Sequence, residues 1–367
     1  MRQNRLFLAV LAGLALADGP AKAKTELTGD VIDGKPVIER LDLASLEDGK
    51  LHKFFFAAGE TSVGQSWHVP VMVAKGAGDG ARLLLNAAVH GDELNGIAVI
   101  QRLFAELDPQ ALRGAVIALP GVNIPGMLHD SRFFRASSDG GFTENLNRLM
   151  PGDPEASNPG KRYVHRLWTR VYEGNLDAAI DLHTQSRGTD YPLFVFADFR
   201  NPKIRRMAEL LQPDIIKIDP GLEGTFETAF VEAGIPAVTF EVGGPKVYQW
   251  DYVDHARRGI RNVMIDLGMI EGEIEDLGRE TFVGNEYQTL RARVGGFAEV
   301  LVGLKDAVTE GQRVALQRNA FGEVEAEYLA PFDGRVLSLA TDPLREPGST
   351  LVRILRMSDA ESCRYGC

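Results

Sequence analysis

The chain has 367 residues, 44% hydrophobic and 25% charged, a globular balance that excludes bulk disorder. At ~100–200 residues per domain, that length points to two domains. Lys and Arg total 40 against 51 Asp and Glu, a net charge of −11 with no basic run, so nucleic acid is excluded as a partner.

Residues 1–23 read in three parts: a basic Met1-Arg2-Gln3-Asn4-Arg5, an apolar stretch from Leu6 to Ala17, and small residues ending at Ala17 and Ala23. This is the pattern of a secretory signal peptide cut after Ala17 or Ala23. The apolar stretch is shorter than the ~20 residues a membrane-spanning helix needs. No other segment is long and apolar enough to span. The protein is expected to be exported, periplasmic or secreted, with no membrane span.

The next 261 positions, 24–284, carry an α/β grammar. Short apolar runs at 81–89, 114–119, 178–182 and 237–240 are bounded by Gly, Pro or charge and read as strands buried on both faces. Between them, 96–104, 162–168 and 204–211 place apolar residues at helical spacing. Alternating strands and helices predict a mixed, largely parallel sheet flanked by helices.

From residue 285 to 357 the pattern changes to short strands separated by turn residues, which predicts a small all-β domain. Its segments 308–315 and 330–337 resemble the barrel-sandwich fold of lipoyl and biotinyl domains, but Glu325-Ala326-Glu327-Tyr328 lies between them where a carrier lysine would stand. A structural or lid role is expected. Residues 358–367 read as a tail holding both cysteines, Cys363 and Cys367, outside any recognisable folded interior. They could close a small loop, join two chains or fray.

Candidate chemistry sits at the ends of the buried runs, where open α/β sheets place ligands. His90-Gly91-Asp92-Glu93 follows the first run, and positions three apart share a face, so imidazole and carboxylate can reach one ion. A second run ends Asp181-Leu182-His183-Thr184; His183 alone reads equally well as a satisfied core residue. With His90 and Glu93 it forms a set that leaves a fourth zinc position open, as a catalytic site requires. A third run ends Phe240-Glu241-Val242-Gly243-Gly244, and burial would raise the Glu241 carboxyl toward the range of a proton shuttle, unless it is an ion-paired structural group. Between these lie Arg132, Arg135, Asn147 and Arg148, residue types suited to a carboxylate or simply to a solvated loop.

In this order and spacing, His90-x-x-Glu93, Asn147-Arg148 before Pro151-Gly152, Asp181-Leu182-His183-Thr184 and Glu241-x-Gly243 resemble the succinylglutamate desuccinylase and aspartoacylase branch of the zinc carboxypeptidase superfamily. The resemblance covers roughly residues 60–250, and the β tail is also typical of the branch. It implies one zinc ion held by His90, Glu93 and His183, Glu241 as general base and acid, Arg132 polarising the scissile carbonyl, and Asn147 with Arg148 clamping a substrate carboxylate. The implied activity is deacylation of an N-acyl amino acid or similar small amide. A carboxypeptidase or muropeptide amidase of the same superfamily, or a non-catalytic binding relative, are the rivals. The chain departs from the branch at Asn145, where Asp is usual and would orient a ligand imidazole; Asn145 can accept the hydrogen bond without its charge.

Overall fold

Strands with no polar face to offer water need cover on both sides, and the sheet obeys that rule at its centre. The computed structural model describes residues 24–367, so the segment read above as an export signal lies outside the described residues. The main body comprises β1 (Glu26–Ile32), β2 (Lys35–Arg40), β3 (Lys50–Glu60), β4 (Ser66–Lys75), β5 (Gly78–Ala87), α1 (Asn95–Glu106), β6 (Arg113–Pro120), α2 (Ile124–Leu128), β7 (Phe134–Ala136) and β8 (Phe142–Glu144). It continues with α3 (Pro159–Leu167), β9 (Ala178–His183), β10 (Thr189–Asp190), β11 (Leu193–Ala197), α4 (Pro202–Leu211), β12 (Ile215–Ile218), α5 (Phe226–Glu232), β13 (Ala237–Val242), α6 (Trp250–Asp266) and β14 (Phe282–Gly284).

Eleven of these strands form one sheet in the order β1-β2-β3-β4-β6-β5-β9-β13-β11-β12-β14. The central neighbours β6, β5, β9 and β13 run parallel, and they are the four apolar runs read from the sequence. Outside them β4 and β11 run antiparallel, which makes the sheet mixed. Helices α1, α4 and α6 cover one face through residues such as Ile100, Leu211 and Ile260. On the other face α3 and α5 pack Leu167, Phe226 and Phe230.

Strand register fixes which side chains meet at the functional edge. Asn86 of β5 pairs with Asp181 of β9, and His183 of β9 pairs with Glu241 of β13. The chain leaves β5 through Ala88 in left-handed backbone (φ 56°), then passes under α2. A Cβ built on Gly91 would fall 2.1 Å from the Gly126 carbonyl carbon, so this approach admits only glycine.

The C-terminal module contains β15 (Glu286–Arg291), β16 (Gly296–Val300), β17 (Ala307–Val308), β18 (Arg313–Arg318), β19 (Val324–Leu329), β20 (Gly334–Ala340), β21 (Leu344–Arg345) and β22 (Thr350–Arg356). Two antiparallel sheets enclose a core that includes Val314, Val336 and Ile354. The module is fastened to the main body, because β10 pairs with β20 and Phe194 and Ile215 pack with Leu337 and Leu355.

The two cysteines are joined in a disulfide and Cys363 is buried, which corrects their placement outside any folded interior. Of the three fates open to them, they take the small loop. The Cys367 N–H donates to the Asn285 carbonyl at 2.8 Å, and a Cβ on Gly366 would fall 2.3 Å from the Ile218 carbonyl oxygen. Docking of this kind leaves no periodic signal in a sequence.

Two outcomes test the packing. Gly91→Ala forces backbone apart and should cost about 1–3 kcal/mol in urea unfolding; wild-type stability in this variant would contradict the α2 contact. Glu227 of α5 is buried against the Thr239 hydroxyl (2.8 Å), and burial pushes its carboxyl up to about 8. The folded chain therefore keeps a proton that the unfolded chain releases near pH 4.5, and this group costs stability progressively as pH rises from there to about 8. Glu227→Gln should gain on the order of 2 kcal/mol over wild type at pH 7.5 and little at pH 4; a gain independent of pH would contradict the assignment.

Candidate metal centre and active site

The turn after β5 and the end of β9 bring His90, Glu93 and His183 together, with one ligand atom from each lying within 4.8 Å of the others. All three are at most 3% exposed. Glu93 is the hub: Oε1 lies 2.9 Å from His90 Nδ1 and Oε2 lies 2.8 Å from His183 Nδ1. The two Nδ1 atoms are themselves 3.2 Å apart. Two imidazole nitrogens and a carboxylate converge on one buried point, and the Nδ1 separation is close to the ~3.3 Å between ligands of a tetrahedral zinc ion. The donor set therefore fits a divalent cation. A second such grouping among the described residues, Glu286 with Cys363 and Cys367, has its sulfurs consumed by the disulfide.

The outer nitrogens of both imidazoles are occupied, which turns Nδ1 inward in each. His90 Nε2 meets Asn145 Oδ1 at 3.1 Å, and His183 Nε2 meets Asp181 Oδ2 at 2.8 Å. Asn145 thus takes the orienting position expected of it, without charge. The electrostatics of the two rings diverge accordingly. Burial pushes His90 down to about 4 despite the pull of Glu93, which keeps it in the neutral form that binds metals. For His183 burial also opposes the charge, but Asp181 and Glu93 outweigh it and carry the ring well above its ordinary value. Glu93 is opposed by burial as well, yet the two imidazoles hold it well below the usual carboxylate range.

Glu241, opposite His183 in the sheet register, is 8% exposed and its Oε2 is buried with no hydrogen-bond partner. Burial pushes its carboxyl up to about 8, with His183 pulling the other way. A buried carboxyl without a donor is ready to exchange a proton with a molecule entering the site.

Arg132 reaches the same centre. Its Nη1 donates to Glu93 Oε1 at 3.1 Å and to the Ser186 hydroxyl, which itself donates to the same oxygen at 2.8 Å. Asn123 anchors this loop by donating to the carbonyls of Val89 at 3.1 Å and Arg132 at 3.4 Å. Arg135, the other arginine named between the first two runs, lies exposed in β7. Arg148 is exposed at its outer side; partial burial and then the nearby Arg132 charge both lower its affinity for its proton, so two guanidinium groups lie near one another. Asn147 has a structural duty as well: its Oδ1 accepts from the Phe226 N–H at 2.8 Å, leaving Nδ2 to donate.

Several site residues carried no role in the sequence reading. Asp181 and Ser186 flank His183 and brace the ligands. Tyr191, buried between β10 and β11, accepts from Arg353 of β22 at 2.6 Å, and the Glu241 charge is among the influences on its hydroxyl. Tyr191 and Arg353 lie 162 positions apart, too far for a local pattern to link them.

The family model for the succinylglutamate desuccinylase/aspartoacylase catalytic domain matches residues 79–267. A curated relative from Halomonas elongata, N-alpha-acetyl-L-2,4-diaminobutyric acid deacetylase, is 30% identical over 285 residues, covering 72% of this chain and 79% of the relative. Among solved structures, the product-bound ectoine utilization protein of Ruegeria pomeroyi superposes with a TM-score of 0.76 at 24% identity, covering 87% of this chain and 97% of that one. A succinylglutamate desuccinylase/aspartoacylase from Rhodobacter sphaeroides gives 0.75 at 24% identity, covering 87% and 98%. These two likenesses concern the fold. With more than half the chain matched by the family model and the ligand residues inside the matched span, this protein belongs to the succinylglutamate desuccinylase/aspartoacylase family.

Proposed function

We propose that this chain is an exported, zinc-dependent amidohydrolase that removes the acyl group from an N-acyl amino acid or a similar small amide bearing a carboxylate. The observation that carries the reading is the convergence of His90, Glu93 and His183 on one buried point beside an unpartnered Glu241. The Halomonas elongata relative is named for the deacetylation of an N-acetyl amino acid, which supports the substrate class.

One zinc ion on His90, Glu93 and His183 would polarise both a water molecule and the amide carbonyl. Glu241 accepts the proton of the attacking water, and its raised affinity for that proton suits later delivery to the leaving amine nitrogen. Arg132, with donors spare once Glu93 engages a cation, stabilises the charge that grows on the carbonyl oxygen. Arg148 and the Asn147 Nδ2 group bind the substrate carboxylate, where the planar guanidinium fork matches its two oxygens.

Small substrates are favoured over long peptides by the C-terminal module, which meets the loop after His183 through Arg345 on the Gly188 carbonyl and Arg353 on Tyr191. Export is supported by the disulfide, a bond rare in reducing compartments, together with the N-terminal sequence pattern. Among the described residues no helix is long and apolar enough to cross a membrane.

The test is zinc content and turnover across a panel of N-acyl amino acids and short peptides. Glu241→Gln should retain zinc and lose about 10²–10⁴-fold in kcat; full activity in the variant would overturn the role of Glu241. Activity on peptides alone would favour the carboxypeptidase reading. Asn145→Asp should tighten zinc binding by about tenfold in chelator competition, because it gives the His90 ring a charged acceptor. Unchanged or weaker binding would contradict that account. N-terminal sequencing of the secreted fraction should begin after Ala17 or Ala23; an uncleaved chain retained in the cytoplasm would count against export.

A further inference from the structure

Behind His183 the hydrogen bonds continue into the core and end on a tyrosine. The His183 Nε2 atom lies 2.8 Å from Asp181 Oδ2, Asn86 Nδ2 lies 3.1 Å from Asp181 Oδ1, and the Tyr172 hydroxyl lies 3.1 Å from Asn86 Oδ1. None of the four residues is more than 2% exposed, so none can turn to water instead. Their placement follows from the sheet, because Asn86 and Asp181 are register partners on adjacent strands.

This chain has a single consistent direction. An ionised carboxylate only accepts, so Asp181 needs a donor at each oxygen. Asn86 supplies one and the His183 Nε2–H the other. A carboxamide has nearly the same shape at its two ends but opposite polarity, so something must hold the Asn86 oxygen away from Asp181. Tyr172 does so by donating its O–H to that oxygen. Once Nε2 carries the proton, Nδ1 is the His183 nitrogen with a free lone pair, and it is the atom that faces Glu93 and His90.

We propose that Tyr172 and Asn86 are positioning residues for the metal centre, fixing His183 as its Nε2–H tautomer and holding Nδ1 on the ion. This rests on the zinc-site reading above. Without the Tyr172 hydroxyl, Asn86 Oδ1 becomes a buried acceptor with no partner and the amide is free to flip. The flipped form sets oxygen against oxygen at Asp181 and removes one of its two donors. His183 then loses the fixed acceptor that orients it.

Tyr172→Phe isolates the hydroxyl, since the ring contacts to Phe226 and Phe230 persist. Tyr163→Phe is the matched control: that hydroxyl is also buried and donates to the Val122 carbonyl at 2.6 Å, with no connection to His183. The measurement is the rate of zinc release from the loaded full chain into excess chromophoric chelator. Tyr172→Phe should release zinc about tenfold faster than wild type, and Tyr163→Phe within about twofold of it. Equal rates from the two variants would overturn the proposal. Nitrogen-15 NMR of the wild-type histidines gives a second reading that needs no variant to fold. In the zinc-loaded chain His183 should show a protonated Nε2 and an Nδ1 without a proton, and the opposite pattern would also overturn it. Neither readout involves substrate. A chain that holds zinc through this network yet hydrolyses no amide would end the functional reading and leave this one standing.

Discussion

A carboxylate and two imidazole nitrogens share one water-excluded point at the edge of the sheet, and the surrounding architecture makes sense as a means of keeping them there. Glu93 alone in such a place would be expensive, because a buried charge without compensation costs several kcal/mol (roughly) even after relaxation. Its two oxygens are each matched to one ring, and Arg132, Ser186 and the Thr184 N–H complete the enclosure. The same donor set suits a divalent cation. The sheet, the glycine passage under α2 and the orienting groups behind each ring all serve that convergence.

The two imidazoles are supported unequally. His183 leans on a charged residue that is itself wired into the interior, whereas His90 leans on the neutral Asn145, whose oxygen also accepts from the Asn147 N–H at 2.9 Å. One ring is therefore anchored to the rigid centre of the sheet and the other to the loop that carries Asn147 and Arg148. The C-terminal module meets the main body through Arg353, which donates to the Tyr191 hydroxyl.

Much of this was legible in the residues because buried parallel strands are apolar on both faces and their ends are marked by glycine and charge. That is why β5, β6, β9 and β13, and with them His90, Glu93, His183 and Glu241, could be located along the chain. Strands β11 and β12 were not separated out: Phe194-Val195-Phe196 and Ile215-Ile216-Lys217 are short, and α6 carries enough charge to blur its boundaries. Partnerships across the sheet were invisible for a different reason. Asn86 and Asp181 lie 95 positions apart, Tyr172 and Asn86 lie 86 apart, and only strand register brings them together. The structural duty of Asn147, which anchors the start of α5, was hidden in the same way.

Anomalous diffraction at the zinc edge from crystals of the purified chain tests the centre most directly. The account requires a single peak per chain, bonded to His90 Nδ1, His183 Nδ1 and a Glu93 oxygen, with a further position facing Glu241. Crystals grown with zinc in excess that show no peak there, or show those three side chains holding one another through hydrogen bonds alone, would contradict it.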